Sequence, residues 1–306
     1  MEAKSLRIIF MGTPHFAVES LKALVENGYN VVAVITAVDK PAGRGRKLQQ
    51  SAVKQYALEN NLPVLQPNNL KAEEFQAEYK SFEPDLALVV AFRMLPEAVI
   101  NIPKIGSINL HGSMLPKYRG AAPIHWAVIN GEKETGVTTF FIQYKIDTGN
   151  IILQEKMSIG ADENVGQVHD RMMAIGAQLF CKTVDLVATG DYELTQQDDS
   201  LATAAPKIFK DDCKINWNQE TQIVYNFIRG MSPFPVAWTL LKDTVLKVYS
   251  ASMEVIEHEY ITGRLLTDNK SYIKVATKDG FINLLEIQLQ GKKRMKVGEF
   301  LNGYNF

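Results

Sequence analysis

Apolar positions in the first half of the chain come in two alternating rhythms. Nearly continuous apolar runs occur at "LRIIFMG" (6–12), "NVVAVIT" (30–36) and "PDLALVVAF" (84–92). Around them lie "PHFAVESLKALVENG" (14–28) and "SAVKQYALENN" (51–61), whose apolar residues recur at helical spacing. Pro14 near the start and Gly28 at the end are helix start and stop signals. Strands apolar on both faces, separated by helices, predict a parallel sheet covered on both sides. Two further strands are predicted at 136–144 and 150–159, and a long helix at 164–190. The first domain, 1–190, is therefore read as α/β, with a Rossmann-like, mostly parallel sheet.

The rhythm then breaks. "DYELTQQDDSLATAAPKIFKDD" (191–212) is polar and unperiodic, so 191–208 reads as a linker. One helix is predicted at "TQIVYNFIRG" (221–230), followed by "AWTLL", "TVLKVYSASM", "TGRLL", "SYIKVAT" and "GFINLLEIQLQ". Strands this short and close predict a small antiparallel β-barrel of OB-like type over 209–306.

Composition narrows the setting. Of 306 residues, 46% are hydrophobic and 22% charged, which is ordinary for a soluble protein. The two cysteines, Cys181 and Cys213, and the opening "MEAKSLRIIFMG", which lacks a long apolar core, predict a reduced, cytoplasmic protein. No apolar run reads as membrane-length, so no membrane partner is expected, and a monomer is the expectation for assembly. A net charge of −1 excludes a chain-wide polyanion binder. Contact with nucleic acid needs local basic patches.

Two familiar chemistries fail at once. Gly12 ends the first strand, but G-x-G-x-x-G is absent: Pro14 stands where a dinucleotide loop needs a glycine for close approach to a pyrophosphate. The histidines at 15, 111, 125, 169 and 258 form no H-E-x-x-H pair, and the cysteines lack ligand spacing, so no metal is expected.

A third pattern is more productive. "INLHGSMLPKYRGAAP" (108–123) opens as a strand and breaks at Pro116 and Gly120. Residues i and i+2 of a strand share a face, so Asn109 and His111 point the same way. Ligand crevices in parallel sheets lie beyond the carboxyl ends of the strands, which puts this pair at the mouth of the fold. Asn offers an amide donor for a developing oxyanion, and His a proton carrier near neutral pH. In "YKIDTGNI" (144–151), Asp147 lies in a turn after a strand that could deliver it to the same crevice. A carboxylate there would favour the charged imidazole. Asn, His and Asp without a Ser or Cys nucleophile suit direct transfer of an acyl group to an amine.

These residues carry a resemblance. "INLHGSMLPKYRGAAPIHWAVINGE" with "ETGVTTFFIQYKIDTGNII" is similar to the signature of formyltransferases that use 10-formyltetrahydrofolate. The resemblance implies Asn109, His111 and Asp147 as the catalytic residues, and Ser113, Met114, Leu115 and Pro116 as the segment along the bound folate co-substrate. "VVAFRMLPEAV" (89–99) departs from the family at Phe92, Arg93 and Met94, in the wall of the pterin pocket.

Two basic segments bear on the acceptor. "DKPAGRGRKLQQSAVK" (39–54) carries Lys40, Arg44, Arg46 and Lys47 against Asp39, and reads as a glycine-broken loop suited to phosphate. Residues 207–306 hold 14 Lys+Arg against 11 Asp+Glu, a net +3 that leaves −4 on the rest. Within them, "GKKRMK" (291–296) clusters Lys292, Lys293, Arg294 and Lys296. Both segments, with "RGMSPFPVAW" (229–238), resemble the tRNA-formylating branch of the family, which implies initiator methionyl-tRNA as partner. A formyltransferase for a nucleotide-sugar amine and a non-catalytic RNA-binding protein on the same fold are the alternatives.

Overall fold

The structure is a computed structural model describing residues 2–42 and 47–304. In chain order it contains β1 (Ile8–Gly12), α1 (His15–Glu26), β2 (Val31–Ile35), β3 (Lys40–Ala42), β4 (Lys47–Gln49), α2 (Ala52–Glu59), β5 (Val64–Leu65), α3 (Glu73–Ser81), β6 (Leu86–Val90), α4 (Glu97–Ile100) and β7 (Gly106–His111). There follow β8 (Arg119–Gly120), α5 (Pro123–Ile129), β9 (Glu134–Phe141), β10 (Ile151–Ser158), α6 (Val165–Thr189) and β11 (Ala204–Ala205). The chain ends with α7 (Thr221–Met231), β12 (Ala237–Leu241), β13 (Thr244–Val255), β14 (Leu265–Thr267), β15 (Ile273–Ala276), β16 (Gly280–Leu289), β17 (Met295–Lys296) and α8 (Val297–Leu301). Contacts divide the chain into two compact units: 1–120, 135–157 and 169–204; and 121–134, 158–168 and 205–306. The second unit thus draws two segments from within the stretch expected to form one domain.

The first unit is built on a seven-stranded sheet in the order β10-β9-β7-β6-β1-β2-β5. β1 runs parallel to β2 and β6, β2 to β5, and β6 to β7, while β7 and β9 are antiparallel. Every residue of β1 and β6 is buried, as their unbroken apolar runs require of strands covered on both faces. Helix α1 buries Phe16, Ala17, Ser20, Leu21 and Leu24, one helical stripe. Each fully buried Leu contributes about 1.5–3 kcal/mol. The chain leaves β1 towards β2 on one side and later returns through β6 on the other. The strand order therefore reverses between β1 and β6, where open α/β sheets hold their ligands. Gly12 closes β1 at this point because a Cβ there would meet Ala17 Cβ at 2.7 Å and Val90 O at 3.2 Å. The glycine serves strand–helix packing.

One expectation is corrected here. Helix α6 is long and apolar enough, by length and composition, to cross a membrane. Met172, Leu179, Phe180, Val184 and Val187 are buried, as in a long core helix.

The second unit carries an antiparallel sheet in the order β12-β13-β16-β15-β14, with β17 added on β16. Its core gathers Ile228 of α7 with Leu246, Val248, Ile273, Ile282 and Ile287. Among the described residues no pairing joins β12 to β14, so the expected barrel is an open half-barrel.

Candidate active site

Strand alternation delivers two of the expected residues. Asn109 pairs with Val89 of β6 and Phe140 of β9, and His111 with Thr138 of β9. Both lie near the carboxyl end of β7. Asn109 is half-buried, and its carboxamide makes no hydrogen bond among the described residues. His111 is buried, and its Nε2 lies 2.8 Å from Tyr118 O. A carbonyl oxygen only accepts, so Nε2 carries a hydrogen and Nδ1 is the ring atom left to exchange a proton.

Asp147 arrives from the turn between β9 and β10. Its backbone is left-handed, with φ of 54°, an uncommon conformation outside glycine. Its Oδ2 accepts from Gly120 N at 2.8 Å and lies 3.7 Å from His111 Nδ1. That separation is ion-pair distance but too long for a hydrogen bond. Nδ1 thus retains its bonding capacity while facing a carboxylate. The structure brings His111 and Asp147 together, and Asn109 lies two residues before His111 on the same strand.

The segment 113–116 is held from beneath. Thr138 Oγ1 donates to Ser113 O at 2.7 Å and accepts from Leu115 N at 3.2 Å. Gln154 Nε2 donates to Leu115 O and to Thr138 Oγ1, both at 2.9 Å. Ser113 donates its hydroxyl to Lys117 O, and Leu115 packs with Phe140 and Ile151. The side chains of Ser113 and Leu115 are therefore turned into the protein. Backbone groups, with the half-buried Met114 and Pro116, are what this segment offers a ligand. In the neighbouring loop Arg93 donates to Asn68 O at 3.1 Å and also to Pro67 O, and lies over the Phe92 ring, while Met94 is exposed.

Three groups that hold the site carry little sequence signal. Thr138 is a polar residue in an apolar strand, which could have marked it as inward-facing. Arg119 reads as an ordinary loop cation. Gln197 lies in the stretch expected to be a linker, yet it is buried and bonded to the Asp147 turn, and Thr195 two residues earlier pairs with Ile151.

The basic segments are separate features. Lys40 is exposed on β3, which pairs with β4 as a short antiparallel ribbon, so the base of the expected loop is ordered strand. Asp39 accepts from Lys54 Nζ at 2.7 Å and Gln66 Nε2 at 2.8 Å, tying the start of the insertion to α2 and to the residue after β5. Arg44 and Arg46 lie outside the described residues, as does the side chain of Lys47. Lys292 and Lys293 are exposed in the turn between β16 and β17. Arg294 is engaged, pairing with Glu286 and lying 4.2 Å from the centre of the Tyr249 ring.

Comparison with known proteins places the chain. A formyl transferase family model matches residues 6–184, and a model of the formyl transferase C-terminal domain matches 207–305. The methionyl-tRNA formyltransferase of Parabacteroides distasonis is 55% identical over 315 residues, spanning 99% of this chain and 97% of that protein. That of Flavobacterium johnsoniae is 52% identical over 308 residues, spanning 99% of this chain and 98% of that protein. In fold, the chain is similar to the N-formyltransferase of Helicobacter canadensis, solved with folinic acid and dTDP-3-aminofucose. The TM-score is 0.68 at 22% identity, over 95% of this chain and 100% of that one.

Proposed function

The chain belongs to the formyl transferase family, and we infer that it moves a formyl group from 10-formyltetrahydrofolate to the α-amino group of methionine on initiator methionyl-tRNA. The observation that carries the chemistry is the approach of Asp147 to His111 at the carboxyl end of β7, the strand that also carries Asn109.

An α-amino group ordinarily titrates near pH 8, roughly, so a useful fraction is neutral near pH 7. Its lone pair attacks the formyl carbon, and the carbonyl oxygen takes negative charge. The carboxamide of Asn109 donates to that oxygen, joined by protonated His111 through Nδ1. Asp147 accepts the proton released by the amine. The tetrahedral adduct then collapses. The bond from carbon to the folate nitrogen breaks, and that nitrogen takes the Nδ1 proton of His111, which His111 regains from Asp147. One amine proton is lost and one folate N–H is gained, so the step balances without a covalent enzyme intermediate. The site contributes mainly positioning and oxyanion stabilisation.

The folate lies along the backbone of Ser113 to Pro116. Lys40, Arg44, Arg46 and Lys47, with Lys292 and Lys293, are the cations that meet tRNA phosphates. The reading also carries a cytoplasmic monomer with no membrane or metal partner, for which light scattering checks the mass. The test of the function is a labelled formyl donor offered with initiator methionyl-tRNA or with a nucleotide-sugar amine. Label on the tRNA-borne methionine supports the reading. Label on the sugar alone sinks it.

A further inference from the structure

We propose that Gln197, supported by Arg119, is the positioning residue for Asp147; this rests on the function inferred above. Gln197 Nε2 donates to Asp147 O at 2.9 Å and to Gly149 O at 2.7 Å. Its Oε1 accepts from Arg119 Nε at 3.1 Å and Nη2 at 2.8 Å. The two ends of the amide are assigned by their partners. Carbonyls only accept and a guanidinium only donates, so the oxygen must face Arg119. Both N–H donors and both lone pairs are used, and the side chain is buried. Arg119 is fixed in turn by Asp199 at 2.7 Å.

The turn needs such a hold. Asp147 has φ of 54°, and a left-handed non-glycine residue persists only where its surroundings over-determine it. Gly149, which shares the brace, lies so close to β9 that a Cβ there would meet Phe141 O at 1.6 Å. Arg119 also directly precedes Gly120, whose N–H binds the Asp147 carboxylate at 2.8 Å. One unit, Arg119–Gln197, therefore holds Asp147 from its backbone and from the strand that grips its side chain. The carboxylate stands 3.7 Å from His111 Nδ1, so a shift of the turn changes that separation directly.

The test is a kinetic double-mutant cycle on the full chain. Gln197→Glu keeps the shape and still pairs with Arg119, but it presents an acceptor to two carbonyls. We expect kcat to fall on the order of 10- to 100-fold, the scale of a small misplacement of a reacting group. KM for tRNA and for folate should change by less than about twofold, as for a group acting only in the chemical step. In an Asp147→Asn background the same substitution should cost less than about twofold, because the residue it acts through is already gone. Equal losses in both backgrounds, or wild-type kcat in Gln197→Glu, would overturn the proposal. If that variant does not fold, Arg119→Lys is carried through the same cycle, with the same expected absorption by Asp147→Asn. A wild-type chain that formylates a different amine overturns the acceptor assignment instead, and the cycle is then run on that amine.

Discussion

Thr138 stands directly opposite His111 in the antiparallel register of β7 and β9, and its hydroxyl holds the loop that follows His111. It is fully buried and uses all three of its bonding positions, to Ser113 O, Leu115 N and Gln154 Nε2. The strand that carries Asn109 and His111 and the expected folate segment are thus coupled through one side chain.

Thr138→Val keeps the shape and removes the hydroxyl. It leaves the Leu115 N–H without its partner, which should cost about 1–3 kcal/mol of stability, the penalty of an unsatisfied buried polar group. KM for the folate donor should rise more than KM for tRNA, because the loosened segment is 113–115. Urea unfolding and donor titrations measure the two effects. An unchanged donor KM would separate this loop from folate binding.

His111→Ala should lower turnover on the order of 100-fold or more, the scale of a lost acid–base or oxyanion group. Folate binding should change little, since the segment 113–116 is held by Thr138 and Gln154. Single-turnover formylation and equilibrium donor binding check both halves. Near-normal turnover would remove His111 from the mechanism.

The parts of this site that can be read in advance are those set by local periodicity. β1, β2 and β6 are apolar on both faces, and alternation alone puts Asn109 and His111 on one side. Gln197 cannot be found that way. Its partners are the carbonyls of Asp147 and Gly149, about fifty positions earlier, and a carbonyl leaves no trace in residue type. The ribbon β3–β4 reads as loop because each strand has only three residues, too few for alternation to register. The half-barrel strands are legible, but closure depends on whether β12 and β14 meet, which no single strand's pattern encodes.

Acid should weaken the second unit through one cap. Asp279, in the turn between β15 and β16, accepts from Thr221 N at 2.7 Å and Thr221 Oγ1 at 2.8 Å at the start of α7. The backbone N–H, then the hydroxyl, hold its carboxyl below the usual carboxylate range. A depressed folded-state pKa gives stability that is complete above the unfolded value, about 3.9, and is lost as pH falls through the folded one. Asp279→Ala should cost about 1 kcal/mol at pH 7, the usual scale of a helix cap. The gap to wild type should close as pH drops below about 4. Thermal unfolding of both proteins from pH 7 to pH 3 tests this. A constant gap would show that the carboxylate's charge plays no part.

Arg44 lies outside the described residues, in the sequence between β3 and β4. Asp39, Lys54 and Gln66 fix the start of the insertion, and in the sequence Gly43-Arg44-Gly45-Arg46 falls between β3 and β4. A guanidinium can bind a phosphate bidentately, which a lysine cannot. Arg44→Ala should weaken tRNA use by about 1–3 kcal/mol, the scale of a lost charged hydrogen bond. Folate affinity and stability should stay near wild type. The salt dependence gives the sharper test. Each phosphate contact adds about 0.9 to the slope of log affinity against log salt for duplex nucleic acid. Removing one contact makes the slope shallower, so the defect should shrink as salt rises. Formylation against tRNA concentration at two salt levels, for wild type and Arg44→Ala, decides it. Parallel slopes would mean that Arg44 touches no phosphate and that the acceptor end is held by other cations.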